Sequence, residues 1–191
     1  TLNIYLMRNR SMLAIAALAF LCSFTQTANA QVDVTVNPIG LLFGDLSIGA
    51  DFTLTQNFSV EAAVGFGTNK IDEIKGTNIP VNLVGKYYFS PKNGADRFYV
   101  DAFLRYVNRQ WNYADNSNYA DFTSNRFGLG FGLGYKIVAN SGFVFDIGLD
   151  AGRALVDNNT YEENGGEQQD VDWTELMIQG KLGIGYRFGG S

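Results

Sequence analysis

The sequence of 191 residues contains no histidine and a single cysteine, Cys22. Without histidine, the chain cannot build a Ser-His-acid triad or any other acid–base scheme that depends on an imidazole. It also lacks the Cys and His ligands of a typical zinc site. No carboxylates or lysines stand at a spacing that suggests another kind of active site. We therefore expect a non-enzymatic protein with no catalytic residues, no cofactor and no metal site.

Long hydrophobic runs are absent as well. After residue 30, no apolar run approaches the ~20 residues that a membrane-spanning helix needs. A shorter apolar run, residues 12–21, follows two arginines and precedes an Ala-x-Ala sequence that ends at Ala30. These three parts together are typical of a secretory signal peptide. We predict a cleavable signal peptide over residues 1–30, in which residues 1–6 are an upstream extension without an assigned role.

Cys22 lies inside this predicted leader, and bulky Leu21 before it argues against a lipoprotein. The remaining residues, 31–191, would then hold no cysteine and form no disulfide, and their length suits one domain. The whole chain has a formal net charge of −5. Because the leader contributes two arginines and no acid, the domain after it is more acidic still. Nucleic acid is therefore not an expected partner.

Glycine and aromatic residues, in contrast, are abundant, with 22 glycines and 15 phenylalanines. From Arg126 to Tyr135, glycine alternates strictly with large apolar residues: Phe127, Leu129, Phe131 and Leu133. In an extended strand, one face would then be continuously apolar and the other nearly without side chains. Such a strand suits a narrow closed barrel that contacts lipid on its outside.

Period-two alternation recurs in eight segments of the chain, none of which has a helical period. The predicted strands are about 32–42, 44–54, 58–67, 79–89, 97–111, 126–135, 143–155 and 173–188. An even number of strands is what a closed antiparallel membrane barrel requires. We predict an all-β fold, an eight-stranded antiparallel up-and-down transmembrane β-barrel.

The predicted connections alternate in length. Those after the second, fourth and sixth strands are short, and Asn140-Ser141-Gly142 reads as a compact turn. Those after the third, fifth and seventh are longer and polar: residues 68–78, 112–121 and 156–172. Outer-membrane barrels place short turns in the periplasm and long loops outside, so both ends of the domain are expected in the periplasm. The short apolar link at residues 39–43 does not fit this pattern.

Charged residues occupy many of the positions expected to face the lumen. The acids are Asp33, Asp51, Glu61, Asp101, Asp146, Asp150 and Glu175, and the bases are Lys86, Arg105, Arg109, Arg126, Lys181 and Arg187. A charge buried alone costs several kcal/mol, so nearly equal numbers of both signs in a confined space indicate pairing or retained water. We interpret these residues as a structural ion-pair network, because eight strands enclose too little room for a wide channel.

Aromatic residues near the strand ends predict girdles at the lipid headgroups. Tyr87, Tyr88 and Phe89, with Tyr186 and Phe188, would form one girdle. Trp111 and Trp173 would belong to the opposite one. The acidic stretch 157–172 lacks the ligand periodicity of a calcium loop, so we interpret it as a solvated surface loop.

The leader, the eight alternating strands and the closing segment Leu182-Gly183-Ile184-Gly185-Tyr186-Arg187-Phe188 resemble small outer-membrane β-barrel proteins over residues 31–188. These are the OmpA-like transmembrane domains, OmpX and OmpW. The resemblance implies a place in the outer membrane of a Gram-negative bacterium, in contact with lipid and lipopolysaccharide. It also implies that Tyr186 and Phe188 end a signal read by the barrel assembly machinery. The segment from Asn37 to Gly44 is similar to the opening of barrels common in Bacteroidota.

The expected function is that of an integral outer-membrane protein with a structural role or a surface-interaction role through its extracellular loops, toward a host or surface ligand that the sequence does not identify. One alternative, which the OmpW resemblance implies, is a narrow channel or carrier for small or apolar solutes. A further alternative is a soluble periplasmic barrel of the lipocalin kind. That alternative predicts the opposite facing, with apolar side chains inside.

Overall fold

The structure is a computed structural model in which residues 31–42, 44–71, 74–115, 118–163, 169–170 and 175–189 are described. The predicted signal peptide and Trp173 lie outside these residues. The strands are β1 Val32–Val36, β2 Asp45–Thr55, β3 Phe58–Ile71, β4 Ile74–Tyr88, β5 Arg97–Asp115, β6 Asn118–Val138, β7 Phe143–Glu163, β8 Gln169–Asp170 and β9 Leu176–Phe188, and one helix, α1, covers Pro38–Leu42.

The long strands close into a ring. Each strand from β1 to β7 pairs antiparallel with the next one in the chain, and β9 pairs antiparallel with both β7 and β1. Across the closing seam, Asp33 is in register with Arg187 on one side and with Asp51 on the other. The two-residue strand β8 adds only to the outer part of β7. The predicted all-β, eight-stranded antiparallel barrel is therefore confirmed for the described part of the chain.

The first strand is shorter than predicted, since α1 occupies the segment from Pro38 onward. The Asn37 side chain accepts hydrogen bonds from the backbone N–H groups of Ile39 and Gly40, both at 3.1 Å. This is N-capping, and proline at the next position suits a first helical residue because it has no N–H to satisfy. The apolar link that did not fit the loop pattern is thus a capped helical turn. No helix among the described residues is long and apolar enough to cross a bilayer.

Over the residues that the structure describes, the three long loops were predicted wrongly, because most of those residues extend the strands. Residues 72–73, 116–117, 164–168 and 171–172 of these loops lie outside the described part of the chain. β3 and β4 stay paired as far as Ile71 and Ile74, and β5 and β6 as far as Asp115 and Asn118. β7 runs on to Glu163, paired with β6. The strand ladder depends on backbone hydrogen bonds to the neighbouring strand, so it continues where the side chains have become polar. We call the end of the barrel with these extensions the hairpin rim.

The opposite end, the turn rim, carries the short connections and both ends of the barrel chain. The predicted turn at residues 140–142 is present, with the Gly142 N–H donating to the Ala139 carbonyl at 2.9 Å. Gly142 has φ of +89°, and a Cβ there would lie 2.6 Å from the ring of Tyr186. Both the backbone angle and the close aromatic ring therefore require glycine at this position.

Large apolar side chains point outward around the ring, and charged ones point inward. Phe131 is 72% exposed and Ile147 is 48% exposed, whereas Lys86 and Asp146 are buried. We call the outward apolar surface the apolar belt; its members include Ile48, Phe66, Leu83, Leu104, Leu129, Phe131, Leu133, Ile147, Leu149 and Ile178. Tyr88, predicted in a girdle, instead lies wholly inside the barrel. This correction follows from strand alternation, since Tyr88 has the same parity as Lys86.

Candidate functional site

The centre of the barrel interior is Lys86, a fully buried lysine on β4. Its Nζ lies 2.8 Å from Asp51 Oδ2 on β2 and 2.9 Å from Asp146 Oδ2 on β7, and it also contacts a Glu61 carboxylate oxygen on β3. One ammonium group therefore donates to three carboxylates from three different strands. A buried charge with such partners is satisfied in its hydrogen bonding as well as its charge.

Three further cations extend this arrangement. Lys136 on β6 lies 2.8 Å from Asp33 Oδ2 and also pairs with Asp51, while Lys181 on β9 pairs with Glu61 and lies 3.1 Å from Asp146 Oδ2. Arg187 donates from Nε and Nη2 to the two oxygens of Asp33, at 2.6 and 2.8 Å. We call these eight residues the lumen network: Asp33, Asp51, Glu61, Asp146, Lys86, Lys136, Lys181 and Arg187. Its four acids balance its four bases.

Two buried tyrosines pack into the lumen network. The Tyr99 hydroxyl donates to Asp146 Oδ1 at 2.7 Å, and the Tyr88 ring lies 5.3 Å from that of Tyr99. Lys86 Nζ is 5.1 Å from the centre of the Tyr99 ring, and Lys136 Nζ is 5.3 Å from that of Tyr88, which are cation–π distances. With Tyr99 on β5, every strand of the ring contributes a side chain. The interior thus cross-links the barrel at one level.

The connection between β4 and β5, residues 89–96, lies across the turn rim, and we call it the floor segment. Ala95 is fully buried, and its N–H donates to the Gln56 carbonyl at 3.1 Å. The Asn93 side chain donates to the Val138 carbonyl at 2.9 Å, and Arg187 Nη2 donates to the Ala95 carbonyl at 3.2 Å. The floor segment therefore contacts the β2–β3 turn, the end of β6 and the end of β9. The turn rim is covered beneath the lumen network.

The structure brings together seven of the predicted lumen residues: Asp33, Asp51, Glu61, Lys86, Asp146, Lys181 and Arg187. Sequence reasoning missed Lys136, although it has the same parity along β6 as Arg126, which was predicted to face inward. The alternation of glycine along β6 indicated an inner face that carries almost no side chains. Strict period-two counting from Arg126 would have placed Lys136 on that face.

Five other predicted lumen residues face inward without joining the network. Asp150 accepts a hydrogen bond from Gln179, and Asp101 is buried with its Oδ1 lacking a donor among the described residues. Nearer the hairpin rim, Arg126 Nε lies 3.2 Å from Asp157 Oδ2, and Arg109 Nε donates to Asn78 Oδ1 at 3.4 Å. Arg105 forms no ion pair with any described residue and borders the cavities above the network.

Glu175 was expected inside the barrel, but it lies on the surface. Its side chain is 55% exposed and pairs with Arg153, which is 71% exposed. β9 begins at Leu176, so Glu175 precedes the strand. The alternation of inward and outward side chains along β9 therefore does not fix the direction of the Glu175 side chain.

Tyr186 and Phe188, the predicted assembly signal, point outward with ring centres 5.1 Å apart. Trp111, predicted in a girdle, instead lies over Gly76 on the inner side of the hairpin rim.

Three carboxylates of the lumen network, those of Asp51, Glu61 and Asp146, lie close enough together to share a metal ion. Lys86 Nζ contacts all three and takes the position that such a cation would occupy. Above the network is a cavity of about 250 Å³, bordered by Thr35, Glu61, Asn82 and Gln179 among others. The site therefore combines a neutralised, packed lower half with a partly open upper half.

Fold and interior together define a class: closed eight-stranded barrels with an apolar exterior and a charged, packed lumen. The chain belongs to the family described as "Protein of unknown function (DUF3575)", whose model matches residues 14–187. No curated protein matches the sequence.

Solved structures that are similar to the chain include two from different bacteria. One is a major outer membrane protein from Thermus thermophilus, with 17% identity and a TM-score of 0.57, covering 85% of this chain and 100% of that one. The other is CarO2 from Acinetobacter baumannii, with 12% identity and a TM-score of 0.48, covering 86% and 100%. The first likeness bears on the fold alone. The predicted kinship with OmpA, OmpX and OmpW, and with Bacteroidota barrels, stays a prediction.

Proposed function

We propose that this chain is an integral outer-membrane protein whose role is structural, or lies in surface interactions at its hairpin rim, and is not enzymatic. The observation that carries this proposal is the facing of its side chains, with large apolar residues exposed all around the ring and ionised residues buried within it. A soluble monomer rarely exposes a contiguous apolar patch above a few hundred Å². Lipid acyl chains are the environment that such an exterior needs.

The height of the apolar belt suits a bilayer. On β5 the outward apolar residues run from Phe98 to Tyr106, and beyond them Asn108 and Gln110 continue the outward face with polar groups. A membrane strand tilted by about 45° needs roughly 9–11 residues to cross the hydrocarbon core. Exposed aromatic residues lie along the turn-rim edge of the belt: Phe58, Tyr87, Phe89, Phe98, Tyr135, Phe143, Tyr186 and Phe188. They would sit at the headgroups of one leaflet.

Two alternative functions are a soluble lipocalin-like barrel and a narrow channel. A lipocalin-like barrel needs an apolar interior, and the charged lumen network argues against it. A narrow channel needs a water path, and the lumen network with the floor segment obstructs one. The upper cavity leaves room for solutes only on the hairpin side. A structural or surface role is therefore favoured over transport.

This function implies particular partners. Outer-membrane lipid and lipopolysaccharide would cover the apolar belt, and the barrel assembly machinery would act on the segment that ends at Tyr186 and Phe188. The signal peptide predicted at residues 1–30 would direct export. The similarity to a protein described as a major outer membrane protein agrees with this location. A ligand at the cell surface would meet the hairpin rim first.

Single cysteines test both location and orientation. In a Cys22→Ser background, Asn112→Cys places a thiol on the exposed outer face of the hairpin rim, and Asn140→Cys places one in an exposed turn of the turn rim. In a Gram-negative host, we expect a membrane-impermeant maleimide to label N112C on intact cells and N140C only after the outer membrane is permeabilised. The protein should require detergent for extraction and should migrate differently on gels before and after heating. Release by osmotic shock without detergent, or labelling in the reverse order, would contradict the proposal.

A further inference from the structure

Aromatic side chains line the inner side of the hairpin rim, beyond the level of the apolar belt. Trp111 and Tyr113 on β5, Phe122 on β6 and Tyr161 on β7 border a cavity of about 380 Å³, which we call the mouth cavity. The Trp111 ring lies over Gly76 of β4, where an added Cβ would approach it to 2.9 Å. The residue opposite Trp111 is thus small enough to let the indole ring lie flat against the strand. The cavity is an aromatic cup that opens at the proposed outer surface.

Three arginines lie directly below this cup. Arg105, Arg109 and Arg126 border a second cavity of about 190 Å³, and Arg109 borders both. In the β5–β6 register, Arg126 is opposite Val107, so Arg105 and Arg109 are its two diagonal neighbours on the same face. Diagonal positions across a strand pair are only roughly 7–8 Å apart. The three guanidinium groups are therefore concentrated in one part of the upper lumen.

Two of these arginines, Arg105 and Arg109, are not neutralised as the lumen network is. Of the described residues that border the two cavities, three are arginines and none is an acid. Asp157 lies beside Arg126, but Arg109 donates to the neutral Asn78, and Arg105 has no ion pair within the described ranges. Arg105 also borders the cavity above the lumen network, whose acids include Asp45, Asp101 and Asp150, and Asp150 accepts a hydrogen bond from Gln179. Like charges gathered in a confined space repel one another, and an anion would relieve that repulsion.

We propose that the mouth cavity and the arginines beneath it bind a small amphipathic anion, with an aromatic or apolar body in the cup and a carboxylate or phosphate on Arg105 and Arg109. Guanidinium groups match both anions with paired N–H donors. A largely apolar cleft with a few convergent polar groups is the usual form of a small-molecule site, and the volume of the cup falls in the usual range. This inference goes beyond the proposed outer-membrane role and does not depend on transport through the barrel.

The test uses the fluorescence of Trp111 in a Trp173→Phe background, with the folded protein in detergent and phenyl phosphate as the probe. We expect saturable quenching by phenyl phosphate, and at least tenfold weaker binding of phenol, which has the same ring without the charge. Benzoate, compared with phenyl phosphate, shows which anionic group the arginines prefer. The R105Q/R109Q variant should bind phenyl phosphate at least tenfold more weakly. R153Q, which removes an exposed arginine outside the lumen, should bind like the parent.

Three results would overturn the inference. Equal binding of phenol and phenyl phosphate by the parent protein would overturn the inference without any variant. Unchanged affinity for phenyl phosphate in R105Q/R109Q would also overturn it. Equal losses in R105Q/R109Q and R153Q would reduce the effect to net charge and overturn it too. Heat-modifiable migration, measured on every variant, confirms that the barrel is folded. Because labelling of N112C and N140C reports location separately, this inference can fail while the outer-membrane role stands.

Discussion

At the scale of single residues, the lumen network depends most on Lys86, whose ammonium group contacts three carboxylates. Replacing it by methionine keeps the approximate volume and leaves four acids facing three bases. Removing one partner of a buried ion pair typically costs about 3–5 kcal/mol. Because Lys136 and Lys181 stay close, we expect Lys86→Met to lower the free energy of unfolding by about 3 kcal/mol, toward the low end of that range. Urea unfolding in lipid vesicles, followed by intrinsic fluorescence, measures it.

Two companion variants separate this effect from a general one. Lys92 is exposed in the floor segment, and Lys92→Met should change stability by less than about 0.5 kcal/mol. Adding Glu61→Gln to Lys86→Met restores the balance of charge, so the two substitutions should be non-additive by about 1 kcal/mol or more. If Lys86→Met were no more destabilising than Lys92→Met, the lumen network would not contribute to stability as we argue.

The glycines of β6 make a second prediction at this scale. A Cβ at Gly134 would lie 2.3 Å from the Tyr99 hydroxyl and 2.6 Å from the backbone carbonyl of Ile147. Neither the packed tyrosine nor the strand backbone can move away easily, and overpacking costs about 1–3 kcal/mol. We expect Gly134→Ala to destabilise the barrel by that amount in the same urea titration.

Gly180 on β9 provides the matched control for this substitution. No heavy atom of the described chain, apart from the residues adjacent to Gly180, lies within 4 Å of a Cβ built there. Gly180→Ala should therefore be neutral within about 0.5 kcal/mol. Equal losses from the two substitutions would show that β6 does not need its bare inner face.

Alternation along the strands predicted much of this residue-level picture. The parity of Asp51, Lys86 and Asp146 was sufficient to place them inside, because a strand in a closed barrel has only two faces. Parity does not tell which inward charges meet, since that depends on the stagger of all eight strands. For this reason Asp101 and Arg105 could not be separated in advance from the residues of the lumen network. Alternation gave the wrong direction for Glu175 because this residue precedes β9 and is not part of the strand.

At the scale of elements, the hairpin rim was the hardest part to predict. Beyond Tyr106 on β5 the outward face is polar, and the hydrophobic period that identified the strand is lost. The strands nonetheless continue to Asp115 and Asn118, because each backbone group there is paired with the adjacent strand. Local sequence patterns do not record this pairing. The continued strands carry the aromatic residues of the mouth cavity, the proposed binding site.

The period-two alternation of apolar and polar residues could not reveal the short helix α1. This helix gives a prediction at the scale of elements. Asn37 caps two backbone N–H groups of α1, and Asn37 and Gly40 both border the cavity above the lumen network. Loss of an N-cap costs about 1 kcal/mol. We expect Asn37→Ala to lower the free energy of unfolding by about that amount, while Asn37→Asp, which keeps an acceptor, retains most of it. Equal losses in both variants, measured by urea titration, would indicate that the amide has another role.

At the scale of the whole molecule, every strand of the ring is tied to the others at one level of the lumen. The first and last strands of the ring, β1 and β9, are joined by the ion pair between Asp33 and Arg187. These two residues are separated in sequence by almost the full length of the domain. The contacts that close the barrel are therefore the same contacts that fill it. Below them, the floor segment adds backbone and side-chain hydrogen bonds across the turn rim. Closure and obstruction of the lumen are thus one structural property.

This property predicts the electrical behaviour of the protein in a planar bilayer. With Lys86, Tyr88 and Tyr99 buried in the lumen and the floor segment beneath them, we expect the wild-type protein to give no steady conductance in potassium chloride. The E61A/K181A variant removes one acid and one base, keeps the charges balanced and shortens two side chains that border the cavity above the network. It should also give none, because Tyr88, Tyr99 and the floor segment remain in place. Steady ohmic conductance by the wild type would contradict a closed lumen and favour a narrow channel. Conductance gained only in E61A/K181A would identify this ion pair, rather than the floor segment, as the barrier to ions.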